Sequence, residues 1–212
     1  MVTGRFLMVQ ALAALAVALT VSPAVTAQNI TSNAASLHRQ IQNDSVAPTV
    51  APAGADVTMV VFSDYQCPYC RKVHPALEQL RREDPKLRVV YRDWPVFGAV
   101  SREAARTAIA ANYQGRHAAF NNALMQTQGR ITSQSIRIAA DRAGVDWARL
   151  QADLVKHDEA IDAALARTHR YARAIGLAGT PALVIGRYLL PGAVELPTLR
   201  EAVAAARRRN AD

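Results

Sequence analysis

The sequence predicts an α/β fold in which a block of helices interrupts the chain between the two halves of one sheet. A β-α-β pattern of apolar runs fills residues 57–98, and a β-β-α pattern fills residues 177–212. Between them, residues 99–176 are rich in Ala, Arg, Gln and Leu and lack a strand pattern. We therefore expect the two halves to join into one sheet flanked by helices, with 99–176 as an all-helical insertion.

The first 27 residues have the pattern of a secretory signal peptide. Arg5 precedes an apolar stretch from Phe6 to Val21, and Val25-Thr26-Ala27 is a small-x-small cleavage site. An uncleaved membrane anchor is the alternative, but the apolar run is shorter than the roughly 20 residues that a bilayer span needs. The pattern predicts export to the periplasm or secretion, and thus a compartment in which disulfides persist.

Residues 28–56 are rich in Ser, Thr, Asn, Ala and Pro, which predicts a flexible lead-in with a short helix around 34–42. The first half of the sheet then follows. The apolar run 57–63 predicts a strand, the periodicity of 67–83 predicts a helix, and 88–91 predicts the second strand.

The insertion is punctuated by Gly115, Gly129 and Gly144, which indicates several helices. Ser133 and Asp146 are expected to act as N-caps for two of them. A longer helix is predicted over 159–176. In the second half, 181–186 and 188–190 predict two strands and 197–209 predicts a final helix.

Cys67-Pro68-Tyr69-Cys70 contains the only two cysteines of the chain, directly after the first strand of the sheet. At the start of a helix, free backbone N–H groups and the helix dipole stabilise a thiolate on Cys67, while Cys70 lies one turn further in. The spacing indicates a redox-active dithiol. Cys67 is the predicted nucleophile and Cys70 the predicted resolving thiol.

Three other roles for the two cysteines are possible. A structural disulfide closing so short a loop would contribute only about 2 kcal/mol. A zinc site needs three or four ligands, whereas Cu(I) can be held by two thiolates alone, so a Cu(I)-binding protein stays open as an alternative. Two inert buried cysteines are disfavoured by Pro68 and the polar neighbours Asp64 and Arg71.

The formal net charge of +8 does not indicate a nucleic-acid-binding protein. The basic residues are dispersed among acidic ones except at 207–209, and no nucleic-acid-binding motif is present. His117, His157 and His169 share no ligand spacing, which favours packing or surface roles. We expect no resident metal and no cofactor.

Several motifs together resemble one known family. They are Phe62-Ser63-Asp64-Tyr65-Gln66-Cys67-Pro68-Tyr69-Cys70, Pro75, Gln114-Gly115 followed by Phe120 and Ala123-Leu124-Met125, and Gly179-Thr180-Pro181. From about Asp56 to the last helix, the sequence is similar to the thioredoxin superfamily. Within it, the sequence resembles the DsbA-like thiol-disulfide oxidoreductases, and particularly the branch of the suppressor-of-copper-sensitivity C proteins.

This resemblance implies a thioredoxin fold with an inserted helical subdomain, and an exported enzyme that exchanges its Cys67–Cys70 disulfide with cysteines of other proteins. It also implies that Thr180-Pro181 is a cis peptide beside the dithiol. There it would face the substrate together with Pro68 and Tyr69. The implied partners are cysteine-containing exported proteins and a membrane-associated redox partner. We expect a dithiol oxidase, with a disulfide isomerase or reductase as the alternative.

Two positions depart from the family pattern. The best-known members have Pro-His between the cysteines, so Pro68-Tyr69 predicts a Cys67 pKa that is lowered, but by less than with histidine. Arg71, Lys72 and His74 are the neighbouring groups able to add positive charge. Val61 occupies the position where many thioredoxin-like proteins have a buried acid. The nearer Asp64 is predicted to be a turn residue rather than a base.

Overall fold

A five-stranded mixed sheet forms the centre of the protein, and the computed structural model describes residues 34–211. The strands are β1 (Thr49–Val50), β2 (Val57–Ser63), β3 (Leu87–Asp93), β4 (Ala182–Ile185) and β5 (Tyr188–Pro191). Their order is β1-β3-β2-β4-β5. β2 pairs with β3 in parallel, and the remaining neighbours are antiparallel.

Helices cover the sheet and build the insertion. They are α1 (its described part is 34–42), α2 (Pro68–Glu83), α3 (Ala99–Asn112), α4 (His117–Met125), α5 (Ser133–Arg142), α6 (Trp147–Lys156), α7 (Asp158–Ala174) and α8 (Leu196–Ala211). The predicted order β-α-β, helical block, β-β-α is confirmed. The exact domain limits 57–98, 99–176 and 177–212 stay predictions.

β2 lies in the middle of the sheet and is apolar on both faces, as a strand covered on both sides must be. On one face Met59 and Val61 pack in a cluster with Leu77 of α2 and Leu199 of α8. On the other face Phe62 belongs to a cluster that includes residues of α1 and α7. The sheet is thus the middle of three layers, and the C-terminal end of β2 leads directly to the cysteines.

The insertion has its own core, and that core contains the two cysteines. Ala104, Ala105 and Ala108 on α3 are fully buried, and their small side chains let the neighbouring helices approach closely. Cys67 and Cys70 belong to the same cluster of buried residues. The dithiol therefore sits where the sheet half of the fold meets the inserted helices.

The predicted flexible lead-in is instead ordered over its described part. Ile41 of α1 is buried, and β1 pairs with β3. Fully buried Arg92 explains the order, because its guanidinium donates to the Ile41 carbonyl and forms an ion pair with Asp44 at 2.8 Å. A buried cation needs such partners, and Arg167 also pairs with Asp44. Composition could not show this, because the residue that needs the lead-in lies on β3.

Of the two predicted N-caps, Asp146 is confirmed and Ser133 is wrong. The Asp146 carboxylate accepts from the Arg149 N–H at 3.1 Å. α5 is capped by Thr132, whose hydroxyl accepts from the Ser135 N–H at 3.1 Å in a capping box. Thr132 and Ser133 both carry a hydroxyl, so the sequence alone left the N-cap of α5 uncertain by one residue.

We expect Thr132→Ala to lower the free energy of unfolding by about 1 kcal/mol, because the cap of α5 is lost. Ser133→Ala is the matched control, since the Ser133 hydroxyl makes only an exposed bond to Glu103. Chemical denaturation of both variants measures the difference. Equal effects, or a larger effect at Ser133, would contradict the assigned cap.

The predicted signal peptide, 1–27, and the first residues of the lead-in, 28–33, lie outside the described residues. Across residues 34–211, no helix combines the length and the apolar character that crossing a membrane requires.

Candidate active site

The dithiol lies at the N-terminus of α2, as the sequence predicted. β2 ends at Ser63, and Cys67 is the N-cap of α2, with extended backbone angles of φ −71° and ψ 117°. Pro68 is the first helical residue, where its fixed φ suits the helix and its missing N–H costs nothing. The following N–H groups therefore point toward the Cys67 sulfur, and Cys70 is one turn further along.

Thr180 and Pro181 lie next to Cys67 although 113 positions separate Thr180 from it in sequence. The Thr180–Pro181 peptide is cis, which confirms what the resemblance implied. The Cys67 Sγ lies 3.3 Å from the Thr180 carbonyl oxygen. An open groove of about 300 Å³, lined by residues including Tyr69, Thr180 and Pro181, runs beside the dithiol. Tyr69, 62% exposed, projects its ring into solvent here.

The environment of Cys67 favours its thiolate. A hydrogen bond from the Cys70 thiol is the main cause that lowers the pKa of Cys67 to about 5. Burial opposes the change, whereas the Thr180 side chain and the backbone N–H groups of Cys70 and Tyr69 add to it. The predicted lowering of this pKa is therefore confirmed.

Cys70 has the opposite character. Its side chain is only 2% exposed, and burial raises the pKa of the Cys70 thiol far above the ordinary thiol value. The hydrogen bond to Cys67 acts in the same direction. At neutral pH the pair thus holds one thiolate, on Cys67, and one thiol, on Cys70. This is the division that a nucleophile and a resolving thiol require.

The three candidate cations near the dithiol differ from one another. Arg71 is held against the active-site loop by bonds to the carbonyls of Tyr65 and Gly129. Lys72 is exposed. Burial lowers the pKa of His74, so this ring is neutral at pH 7 and supplies no positive charge to Cys67.

Asp64 holds the loop that precedes the cysteines. Its carboxylate accepts bonds from the N–H groups of Gln66 at 2.7 Å, Val96 at 2.6 Å and Phe97 at 3.1 Å. The Ser101 hydroxyl donates a fourth bond at 2.8 Å. These bonds fill the roughly four acceptor positions of a carboxylate. The prediction of a turn residue is confirmed, and Asp64 also ties the loop to the start of the insertion.

A second polar network lies beneath the same loop, and the sequence analysis missed it. The Tyr65 hydroxyl donates to Asp93 Oδ1 at 2.8 Å, and His117 Nε2 lies 3.0 Å from Asp93 Oδ2. Asn121 Nδ2 lies 3.3 Å from the Tyr65 oxygen. Burial raises the pKa of Tyr65 well above its usual range, so it stays a donor. The only sequence signal was an aspartate ending an apolar strand.

Metal ligands do not gather at this site. Among residues 34–211, no group of three or more His, Cys, Asp or Glu side chains is placed to hold a metal ion. The two cysteines are free thiols in the structure.

A Cys-x-x-Cys pair at a helix N-terminus, facing a cis-proline on a mixed sheet, defines a thiol-disulfide oxidoreductase of the thioredoxin type. The family model described as "DSBA-like thioredoxin domain" matches residues 58–204, well over half of the chain. The chain belongs to this family. The predicted thioredoxin fold with a helical insertion and the predicted enzyme class are both confirmed.

Solved structures agree with this assignment. A thioredoxin-like oxidoreductase from Silicibacter pomeroyi DSS-3 is 38% identical, with a TM-score of 0.75, over 80% of this chain and 97% of that one. The catalytic domain of Proteus mirabilis ScsC is 28% identical, with a TM-score of 0.73, over 84% of this chain and 98% of that one. The resemblance to the suppressor-of-copper-sensitivity C branch is thereby supported.

The chain also matches part of larger proteins. It is 27% identical over 157 residues to a protein named Na(+)/H(+) antiporter NhaA 1 from Salinispora arenicola. The match covers 73% of this chain and 24% of that protein, so this chain spans about a quarter of the curated relative's length.

Proposed function

We propose that this protein is an exported dithiol oxidase, which passes its Cys67–Cys70 disulfide to pairs of cysteines in other exported proteins. The observation that supports this direction is the pKa of Cys67, lowered to about 5. Stabilising the thiolate stabilises the reduced protein, and this makes the disulfide a stronger oxidant. The corresponding cysteine has a pKa of about 3.5 in DsbA and about 7 in thioredoxin.

The transfer proceeds in two exchanges. A client thiolate attacks the Cys67 sulfur, the Cys67–Cys70 bond breaks, and Cys70 leaves and takes up a proton. A second client thiolate then attacks the client sulfur of this mixed disulfide, and Cys67 leaves as its stable thiolate. The client has been oxidised by two electrons, and the enzyme has been reduced by two.

Thr180, Pro181, Pro68 and Tyr69 are the proposed client-facing residues. Tyr69, Thr180 and Pro181 line the open groove beside Cys67, and Pro68 follows Cys67 directly in the chain. An extended client segment can pair there with the backbone at Thr180 as an added strand. Exposed Tyr69 offers an aromatic surface to the residues that flank the client cysteine.

We place the protein in the periplasm or outside the cell because of the leader pattern in residues 1–27. There a membrane-associated redox partner would restore the disulfide after each transfer. An isomerase or reductase has the same site but must work with the dithiol reduced, so the reduction potential separates the two possibilities.

The equilibrium reduction potential against glutathione tests the proposed direction. We expect a value closer to that of DsbA, about −120 mV, than to that of thioredoxin, about −270 mV. Tyr69→His serves as a calibrating variant, because an imidazolium beside Cys67 should make the disulfide more oxidising still. A wild-type potential near that of thioredoxin would instead indicate a reductase or isomerase.

The pH dependence of the reduced protein gives an independent prediction. The ultraviolet absorbance of the Cys67 thiolate should titrate with a midpoint near pH 5. Because an unfolded thiol titrates near 8.5, thiolate formation should stabilise the folded reduced protein by about 3 kcal/mol at pH 7. This contribution is complete above the unfolded pKa and is lost as the pH falls through about 5.

The corresponding measurement is denaturation of the reduced and oxidised forms between pH 4 and pH 8. As the pH falls, the reduced form should lose stability relative to the oxidised form. Cys70→Ala, which removes the main donor to Cys67, should move the thiolate midpoint upward. An unchanged midpoint in that variant would contradict the assigned cause.

A further inference from the structure

A small cavity lies behind Cys70, between α2 and the strands β2 and β3. Its volume is about 20 Å³, enough for a single water molecule. Val61 lines it together with Cys70. Val61 is the position at which the thioredoxin-like resemblance leads one to expect a buried acid, so the space next to the resolving thiol lacks the proton acceptor found in many relatives. Cys70 nevertheless needs one, since burial holds its proton tightly.

Three other ionisable side chains of α2 line this cavity, those of His74, Glu78 and Arg81, and only the first two can accept a proton. His74 and Glu78 line it, and they follow Cys70 at positions i+4 and i+8 of the helix. Residues four apart on a helix share one face, with their Cβ atoms about 5–6 Å apart. His74 is therefore the closer of the two to the Cys70 thiol, and Glu78 lies a full turn beyond it.

The hydrogen bonds of His74 fix which nitrogen can accept a proton. Nε2 lies 2.9 Å from Asn122 Oδ1, an oxygen that also accepts from Gln126 Nε2 at 2.8 Å. An acceptor oxygen requires Nε2 to carry the hydrogen, and the lone pair of the neutral ring is then on Nδ1. The imidazole is buried, with 5% of its residue surface exposed.

Burial and the neighbouring charges leave the His74 ring neutral at pH 7, with a free lone pair on Nδ1. Burial is the main cause that lowers the pKa of His74, the carboxylate of Glu78 opposes this, and the guanidinium of Arg81 adds to it. Glu78 and Arg81 form an ion pair at 2.8 Å, so their effects partly cancel. Tyr91 of β3 also lines the cavity, and burial raises the pKa of its hydroxyl above the ordinary value, so it stays protonated.

We propose that His74 accepts the proton of Cys70, directly or through a water in the cavity, when Cys70 resolves a mixed disulfide. This inference rests on the proposed function. In the oxidase cycle the step occurs during reoxidation, after the Cys67 thiolate has opened a disulfide of the redox partner. The Cys70 sulfur then bonds to Cys67, the Cys67–partner bond breaks, and the partner sulfur leaves as a thiolate. The Cys70 proton passes to His74 and from there to solvent or to the departing thiolate.

The test uses oxidised glutathione as the probe and separates the two steps. Reduced full-length protein reacts first at Cys67 to give a glutathione adduct, which Cys70 then resolves. Rapid acid quenching and mass spectrometry follow both steps over time. We expect His74→Gln, which keeps a donor for Asn122, to leave adduct formation unchanged and to slow resolution by about 100-fold, the usual scale of general-base assistance.

The pH profile distinguishes proton transfer from a packing effect. In the wild type, resolution should slow as the pH falls through the His74 pKa, which lies below the ordinary value of about 6.5. In His74→Gln this inflection should disappear. Glu78→Gln is the matched control, because it changes a charge on the same face of α2. At pH 7 it should resolve the adduct at close to the wild-type rate, and its inflection should be kept but lie at a lower pH, because the Glu78 carboxylate raises the His74 pKa.

Each outcome is decisive. Wild-type resolution in His74→Gln, or an equal loss in Glu78→Gln, would overturn the role of His74 and leave the proposed function intact. If the wild type formed no adduct at Cys67, this result would contradict both the role of His74 and the proposed function. His74→Asn provides a second variant with an amide donor, and circular dichroism of both variants shows that the fold is kept. If His74→Gln resolved the adduct slowly but kept the inflection of the wild-type pH profile, the loss would come from altered packing, and this result would also overturn the proposal.

Discussion

Replacing Cys67 by serine should abolish disulfide exchange, with a loss of more than about 10⁴-fold, as is typical when an enzyme loses its nucleophile. A serine hydroxyl does not ionise near neutral pH, so none of the interactions that stabilise a thiolate at this position can act on it. Cys70→Ser should behave differently. Its Cys67 keeps the backbone N–H groups of α2 and still attacks, but the mixed disulfide cannot be resolved.

The two variants can be compared on one reduced, cysteine-containing client protein and its oxidised form. Cys70→Ser should accumulate a covalent complex with the client that is visible on a non-reducing gel, whereas Cys67→Ser should form none. The double serine variant is the control for adventitious thiol reactions. A covalent complex formed through Cys70 in Cys67→Ser would reverse the assigned roles of the two cysteines.

The sequence predicted the dithiol well because its chemistry is local. Cys67, Pro68 and Cys70 are neighbours in the chain, and helix geometry alone places one sulfur at the N-terminus and the other a turn inside. The order of apolar runs predicted the sheet for a similar reason, since β2 and β3 are buried on both faces. The different environments of the two sulfurs also follow from their positions, since Cys67 is the N-cap of α2 and Cys70 lies in its first turn.

What the sequence did not predict depends on contacts between distant segments. Asp93 joins Tyr65 to His117 only because the end of β3 lies beneath the active-site loop, next to the start of α4. The lead-in is ordered because buried Arg92 needs acceptors from α1. No periodicity in the sequence marks such residues. The structural role of a buried polar side chain depends on its hydrogen-bond partner, and that partner is distant in the sequence.

His74 shows how the two kinds of information combine. The sequence placed it near the cysteines and suggested a source of positive charge for Cys67. The structure shows a buried neutral ring beside Cys70 instead. The spacing of four residues was visible from the start, but its chemical use depends on burial and on the Asn122 side chain from α4. Because tertiary packing buries the His74 ring, the ring is neutral and is a candidate base rather than the predicted positive charge.

Asp64→Ala should lower the free energy of unfolding by about 4 kcal/mol and the melting temperature by about 10 °C. The reason is that four donors lose their common acceptor, three of them backbone N–H groups at the junction between the active-site loop and the insertion. An unsatisfied buried donor costs about 1–3 kcal/mol, and partial relaxation or entry of water reduces the sum. Asp64→Asn keeps one acceptor oxygen and should fall between the alanine variant and the wild type.

Asp141→Ala is the control, because this exposed aspartate forms only a surface pair with Arg137 and its loss should change stability by less than about 0.5 kcal/mol. The loop should also loosen around Cys67, since Gln66 would lose the bond that fixes its backbone. Asp64→Ala should therefore raise the Cys67 thiolate midpoint as well as lower the melting temperature. If Asp64→Ala were as stable as Asp141→Ala, the carboxylate would not be what holds the active-site loop to the helical insertion.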